Sequence, residues 1–442
     1  MGFTELNFLL RFLPVFFLIY YVSPSKYRNI ILFLASIVFI AFGNWKNLAV
    51  LLGITVIDYI LLFIMRNHRD LSRKLLFGAM LVIDLGVLLY FKYIVQALPL
   101  GISFYTFMAI SCGVDIYYGK ASIGSFAEFG AYLTMFPKLV QGPIAQYRDI
   151  KPQLKERSVS WTKMENGLEE FVIGLAFKTM IADKIAILWN DVRMIGFDSI
   201  STHMAWLGAM AFSMELYFDF WGYSIMAVGL GKMMGFDLPQ NFDHPYASAT
   251  VSEYYRRWHI TLGKWFRDYV YIPLGGNRVG KARLLINLLV VWALTGIWHG
   301  VTLNYLLWAG VLVLFIILEK FVYGKFLQEH RIISTVYIWF IIPLTWVIFA
   351  ITDFKSLGVY FTRLFPFWGT GEAVNTGDFI YYGKDFVLII IAAFVVSLPQ
   401  MNKLYNKFKD YVVFKLFLIG VFWFCAYQIH KGANNPFMYS GF

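Results

Sequence analysis

Long apolar runs separated by short polar intervals recur from one end of the chain to the other. A run of this kind crosses a hydrocarbon layer ~30 Å thick as a helix, because a helix satisfies its own backbone polar groups. The pattern predicts an all-α polytopic membrane protein that forms a single integral membrane domain over residues 1–442. About twelve spans are expected, at 7–22, 29–43, 46–65, 75–97, 101–118, 168–189, 204–230, 284–303, 305–322, 333–351, 386–400 and 413–430.

Clusters of lysine and arginine occupy the intervals between these runs. All the clusters lie on one side, which the positive-inside rule makes cytoplasmic, provided that residues 128–147 enter and leave by the same face. Pro137, Gly142 and Pro143 interrupt that segment, and broken backbone at membrane depth has to be covered by protein or water. We therefore predict a re-entrant segment that borders a substrate cavity, in a multi-pass protein of the cytoplasmic (inner) membrane with both termini outside.

Composition supports the membrane class and excludes several others. The chain is 59% hydrophobic and 15% charged, and its formal net charge is +11. Since the basic residues flank apolar runs, we interpret them as topology signals and contacts to anionic lipids, and expect no nucleic-acid partner. Cys112 and Cys425 both lie in apolar runs, so no disulfide framework is predicted. The histidines show no HxxxH or HExxH spacing, so no metal site is predicted.

Two histidines carry the candidate chemistry. His299 lies in the run LTGIWHG (294–300), and a helix rise of ~1.5 Å per residue puts it about 22 Å from the cytoplasmic end of its span. A histidine at that depth is costly unless it is paired or functional. Its imidazole is suited to take a proton from a hydroxyl that attacks an acyl carbonyl. Covalent catalysis by the same ring, and a structural histidine satisfied by a neighbouring helix, remain alternatives.

His259 ends the RRWH run inside the aromatic and basic interval 231–283. This interval is typical of an interfacial amphipathic region, in which aromatic residues and long cations anchor the chain at the membrane surface. The alternative is a cytoplasmic funnel that captures an anionic donor, with His259 orienting or polarising it. A structural role for His259 stays open.

Glu215 and Asp219 lie four residues apart on one helical face, so they are expected to face the bundle interior. A structural network with lysine or arginine is one interpretation, and a carboxylate that steadies the catalytic imidazole is the other. The candidate catalytic residues are His299 and His259. The candidate substrate-binding residues are Arg256, Arg257, Trp258, Asp219, Glu215, Lys138, Gln141, Asn277 and Trp298.

Motifs along nearly the whole chain resemble one family, the membrane-bound O-acyltransferases. The similarity is to the bacterial polysaccharide O-acetyltransferases of the alginate O-acetylation branch, which are related to the D-alanyl transfer protein of teichoic acids. The motifs are GISFYTF (101–107), FPKLVQGPI (136–144), ELYFDFWGYS (215–224), NFDHPY (241–246), YYRRWHITLGKWFRDYVYIPLGGNR (254–278), LTGIWHG (294–300) and NNPFMYSGF (434–442).

The resemblance implies a helical bundle with re-entrant segments and a transmembrane tunnel. It also implies a cytoplasmic thioester donor, an external hydroxyl acceptor, a catalytic His299 and a required His259. We expect no bound cofactor and acetyl-CoA as donor. A separate extracytoplasmic transferase, serine hydrolase-like, is the expected partner that passes acetyl groups to a cell-surface polysaccharide.

Three alternatives to this assignment remain open. D-alanyl transfer to teichoic acid would use a carrier-protein phosphopantetheine thioester in place of acetyl-CoA. A proton-coupled transporter or flippase without acyl chemistry would use His299 and Asp219 as a proton relay. A purely structural scaffold would tolerate the loss of both histidines.

Overall fold

The computed structural model describes residues 2–43, 45–367, 375–432 and 435–438. Helices make up the fold of these residues, and no strand occurs among them beyond one isolated bridge that pairs Phe242 with Trp258. The all-α prediction is confirmed. The last predicted motif, 434–442, lies for the most part outside the described residues.

A helix occupies each of the apolar segments that the sequence pattern singled out. Within the described part of the chain, seven helices are long and apolar enough to cross a membrane: Trp45–Met65, Asp70–Val95, Lys281–His299, Leu303–Glu329, Arg331–Ala350, Asp378–Val396 and Val412–His430. Phe8–Val22 and Ile102–Tyr117 are shorter apolar helices. The total number of membrane crossings stays a prediction.

The described chain divides into two compact units. The first comprises residues 1–175, 223–240 and 422–442. Its main helices are Leu13–Val22, Arg28–Ala41, Trp45–Met65, Asp70–Leu89, Ile102–Tyr117, Phe126–Thr134, Phe136–Leu139, Tyr147–Lys155 and most of Trp161–Ala176.

The segment that we predicted to be re-entrant lies in this first unit. Ser125 begins helix Phe126–Thr134 with a capping box, in which Ser125 and Glu128 each bond the other's backbone amide. Pro137 starts the next helix, Phe136–Leu139, which is only four residues long. Residues 129–147 are buried without interruption, so the broken backbone is covered as expected for non-helical chain at membrane depth.

The second unit comprises residues 176–222 and 241–421. Helix Thr202–Met233 contributes its first part to this unit. The other main helices are Asp183–Ile195, Val251–Arg257, Ile260–Phe266, Lys281–His299, Leu303–Leu318, Gly324–Glu329, Arg331–Ala350, Phe354–Leu364, Asp378–Gly383, Val387–Val396, Gln400–Phe408 and the start of Val412–His430.

The motif region 241–266 folds around short hydrogen-bonded links rather than one long helix. The Thr250 side chain caps helix Val251–Arg257 by accepting from the backbone amide of Glu253 at 3.1 Å. The Asn241 carbonyl accepts from the amide of Ile260 at 2.9 Å, and the Asn241 side chain accepts from the Thr261 hydroxyl at 2.6 Å. These bonds fix the chain on both sides of His259.

Candidate active site

His299 is the last residue of helix Lys281–His299, and its side chain is buried. Aromatic rings surround the imidazole. The ring centroids of Trp298, Trp308 and Phe349 lie 4.6, 5.0 and 5.1 Å from that of His299, and all three contacts are edge-on. Edge-on contacts are a favoured packing geometry for aromatic rings, so the imidazole sits in a packed aromatic surround.

Two glycines allow a second helix to approach the imidazole closely. A Cβ at Gly296 would lie 2.8 Å from the Tyr305 carbonyl oxygen, and a Cβ at Gly300 would collide with the Tyr305 ring. The Tyr305 ring stacks at 6.3 Å from His299. The Tyr305 ring and backbone thus occupy the space next to these glycines.

Asn304 holds this arrangement together, and sequence reasoning missed it. Its amide is completely buried and donates to the backbone carbonyls of Ile348 at 3.1 Å and Phe349 at 2.9 Å. The Thr302 hydroxyl donates to the side-chain oxygen Oδ1 of Asn304 at 2.6 Å. The start of helix Leu303–Leu318 is thereby tied to the end of helix Arg331–Ala350, which places Phe349 against His299. The signal available in the sequence was a polar residue, Asn304, directly before the predicted span 305–322.

His259 adopts a left-handed backbone conformation, with φ 45° and ψ 55°. This conformation is uncommon for residues other than glycine and often marks a functional or tightly constrained position. The ring is buried, 4.7 Å from Phe220 and 6.3 Å from Trp298 between centroids. Burial lowers the pKa of His259 to about 3. Trp298 therefore contacts both histidine rings, and the structure brings the two predicted catalytic residues to one indole.

The three residues before His259 have different environments. Trp258 is buried among aromatic rings, with Phe242 and Trp346 each 5.0 Å away. Arg257 is half-buried and donates to Glu253 at 2.7 Å. Arg256 is exposed. The aromatic residues of this region are thus largely internal, whereas Arg256 keeps its side chain at the surface.

Asp219 belongs to a buried ion cluster. Lys178 lies 2.6 Å from Asp219 and 2.7 Å from Asp183, and the three side chains are almost fully buried. This is the structural network with lysine that the sequence suggested for Asp219. Glu215, one turn earlier, is half-buried, and its Oε2 has no hydrogen-bond partner in the described part of the chain.

The remaining candidates lie elsewhere. Lys138 and Gln141 belong to the first unit and are completely buried. Asn277 is exposed in the turn between helices Ile260–Phe266 and Lys281–His299. Nearby, Asn287 is buried and donates to the Gly276 carbonyl at 3.1 Å. No group of three or more His, Cys, Asp or Glu side chains suited to a metal occurs among the described residues.

Comparison with known proteins assigns the class. The membrane-bound O-acyltransferase (MBOAT) family matches residues 115–352. A "Probable alginate O-acetylase AlgI" of Pseudomonas syringae pv. tomato is 35% identical over 93% of this chain and 84% of the relative. The "Peptidoglycan O-acetyltransferase" of Helicobacter pylori is 30% identical over 79% of this chain and 77% of the relative. A "Teichoic acid D-alanyltransferase" of Bacillus subtilis is 31% identical over 40% of this chain and 47% of the relative.

The fold, the helices suited to a membrane and these matches define a multi-pass membrane O-acyltransferase. The chain belongs to the membrane-bound O-acyltransferase family. The family prediction made from the motifs is confirmed.

Proposed function

We propose that the protein moves an acyl group, acetyl in the first instance, from a cytoplasmic thioester through a tunnel to a hydroxyl of an extracytoplasmic cell-surface polysaccharide. The names of relatives that cover most of this chain support acetyl, because they describe alginate and peptidoglycan O-acetylation. The single observation that carries the catalytic assignment is the buried imidazole of His299 in its aromatic surround.

In this proposal His299 is the general base. A ring nitrogen takes the proton of the acceptor hydroxyl while the oxygen attacks the thioester carbonyl. The C–S bond then breaks, and the departing thiolate takes the proton back from the imidazolium. Acyl group, proton and electron pair are all accounted for without a cofactor. A covalent acyl-imidazole is the alternative route through the same residue.

His259 acts as a positioning residue. Its ring packs on Phe220 and Trp298, and Trp298 in turn contacts His299. A neutral His259 thus helps to fix the orientation of the indole that borders the base. The exposed Arg256 is available for the phosphates of an incoming donor.

The donor, partner and location follow from the same reaction. Acetyl-CoA is the proposed donor, and a serine hydrolase-like extracytoplasmic transferase is the proposed partner that receives the acetyl group. The proposed location is the cytoplasmic (inner) membrane with both termini outside. D-alanyl transfer from a carrier-protein phosphopantetheine thioester is the second candidate, favoured by the teichoic acid D-alanyltransferase relatives.

Purified protein in lipid nanodiscs should transfer label from radioactive acetyl-CoA to an acceptor hydroxyl, on the partner transferase or on the polysaccharide. The His299→Ala variant should lower the rate at least ~100-fold, the usual scale for losing a general base. His68→Ala, at an exposed histidine, is the matched control and should retain the rate. A His299→Ala enzyme with most of the wild-type rate would refute the assignment, and transfer from a D-alanyl carrier alone would select the second candidate.

A further inference from the structure

Lys138 is a buried lysine for which the described structure provides no carboxylate partner. Its side chain is completely buried. The ammonium Nζ lies 2.7 Å from the Met108 Sδ and 4.3 Å from the centre of the Tyr132 ring. No carboxylate among the described residues forms an ion pair with it. A thioether is a weak acceptor, and the face of a phenol ring offers only part of the stabilisation that a carboxylate gives.

Lys178 provides a contrast within the same chain. Lys178 is also buried, and it lies within 2.7 Å of the carboxylates of both Asp183 and Asp219. Buried charges are normally paired in this way, because removing an ion from water costs several kcal/mol. Lys138 departs from this rule among the described residues, which is the arrangement expected where a bound ligand supplies the opposite charge.

The same short segment presents further unused hydrogen-bonding groups. Gln141 is completely buried, and neither its amide nitrogen nor its amide oxygen has a partner in the described structure. Buried polar groups of this kind are rare in native proteins and often face a ligand or an ordered water.

The backbone keeps Lys138 and Gln141 on one tight turn. Helix Phe136–Leu139 ends immediately before Val140, and a Cβ at Gly142 would collide with the backbone of Lys138. The backbone at Gly101 packs closely against the end of this helix, since a Cβ there would collide with the Leu139 carbonyl. The backbone that carries both side chains is therefore tightly packed, which favours a fixed position for a binding group.

We propose that Lys138 and Gln141 form a subsite for an anionic oxygen group, a carboxylate or a phosphate. The ammonium neutralises the anion, and the Gln141 amide donates a hydrogen bond to it. This proposal rests on the proposed function, because the acyl-transfer reaction would supply the molecule that carries the anion. The anion belongs either to the phosphates of the thioester donor or to an acidic group on the acceptor polysaccharide.

Ligand-dependent thermal unfolding tests the subsite without any turnover. The purified full-length protein would be titrated with inorganic phosphate, coenzyme A, pantetheine, glucuronate and glucose. Pantetheine is the coenzyme A arm without phosphates, and glucose is the neutral counterpart of glucuronate. We expect Lys138→Met to weaken binding of the anionic member of one pair roughly tenfold to a hundredfold, with no change for the neutral member. Gln141→Leu should weaken the same ligand less.

The ligand-free proteins separate binding from folding. Lys138→Met replaces a buried amine that has no carboxylate partner among the described residues with an apolar side chain, so its unfolding temperature should equal or exceed that of the wild type. Lys178→Met leaves two buried carboxylates without their cation, so its unfolding temperature should fall. If Lys138→Met instead unfolds at a lower temperature and binds every ligand as the wild type does, Lys138 is structural and the subsite is overturned.

The titrations distinguish the two sources of the anion. They also distinguish failure of the subsite from failure of the proposed function. A Lys138-dependent preference for coenzyme A over pantetheine assigns the donor phosphates, and a preference for glucuronate over glucose assigns the acceptor. Wild-type protein that shows neither preference refutes the subsite even when His299-dependent acyl transfer occurs. Conversely, a Lys138-dependent preference in a protein that transfers no acyl group keeps the subsite and refutes the proposed function.

Discussion

At the scale of single residues, solvation decides which side chains carry chemistry. Sequence reasoning selected His259 and His299 because an imidazole within an apolar chain is costly. It did not foresee that both rings contact Trp298, since no periodicity relates a loop residue to a helix end. It also missed Asn304, whose role depends on two backbone carbonyls of a distant helix.

The environment of His259 makes stability depend on acid pH. Burial lowers the pKa of His259 to about 3, whereas an unperturbed histidine titrates near ~6.5. Below that value the unfolded chain binds a proton that the folded chain does not. The folded state therefore loses stability as the pH falls from about 6.5 toward 3.

His259→Asn should reduce this loss, because asparagine does not titrate and tolerates the left-handed backbone. The measurement is the unfolding temperature in detergent between about pH 7.5 and about pH 5. The variant should show a shallower decrease than the wild type, and His68→Asn, at an exposed site, should follow the wild type. Identical slopes for all three proteins would mean that His259 is not held neutral by burial.

At the scale of elements, the end of one helix is shaped by the start of the next. A Cβ at Gly300 would collide with the Tyr305 ring, which lies 6.3 Å from His299 and 4.9 Å from Phe349. The backbone at Gly300 is extended, with φ 178°, so alanine is excluded by space and not by conformation. The space beside the imidazole is therefore set by both helices, Lys281–His299 and Leu303–Leu318.

Gly300→Ala should displace the Tyr305 ring and misplace its contacts around the base. A shift of about 1 Å can cost on the order of 100-fold in rate, so kcat should fall while donor affinity is retained. Gly310→Ala is the matched control, because no atom lies within 4 Å of its added Cβ. Adding Tyr305→Leu to Gly300→Ala should restore part of the rate. No recovery together with loss of donor binding would point to a general folding defect.

The apolar segments were predictable because run length alone distinguishes a membrane helix from other elements. The burial of aromatic residues in the interval 231–283 was not predictable in this way. Its cations and aromatic residues are typical of a membrane surface, yet Tyr254, Trp258 and Trp265 are buried in the protein. Composition does not show which side chains are buried. The hydrogen bonds that Asn241 accepts from Ile260 and Thr261 fix the fold of this region.

At the scale of the whole molecule, the distribution of charge predicts orientation. The turn at Arg66 and Arg69 joins two apolar helices, and Lys325 and Arg331 lie where two others meet. The positive-inside rule predicts that both turns are cytoplasmic. We therefore predict that the turn after His299 lies on the opposite side of the membrane, as the proposed external acceptor requires.

Cysteine labelling of intact cells tests this orientation. Cys112 and Cys425 are both buried, so a cysteine-free background would be built by replacing them with alanine and checked for folding. Asn67→Cys and Gln328→Cys, at exposed positions, should react with a membrane-impermeant maleimide only after the cells are opened. Val301→Cys, 46% exposed, should react in intact cells. Labelling of Asn67→Cys from outside would invert the orientation and place the thioester donor on the wrong side of the proposed reaction.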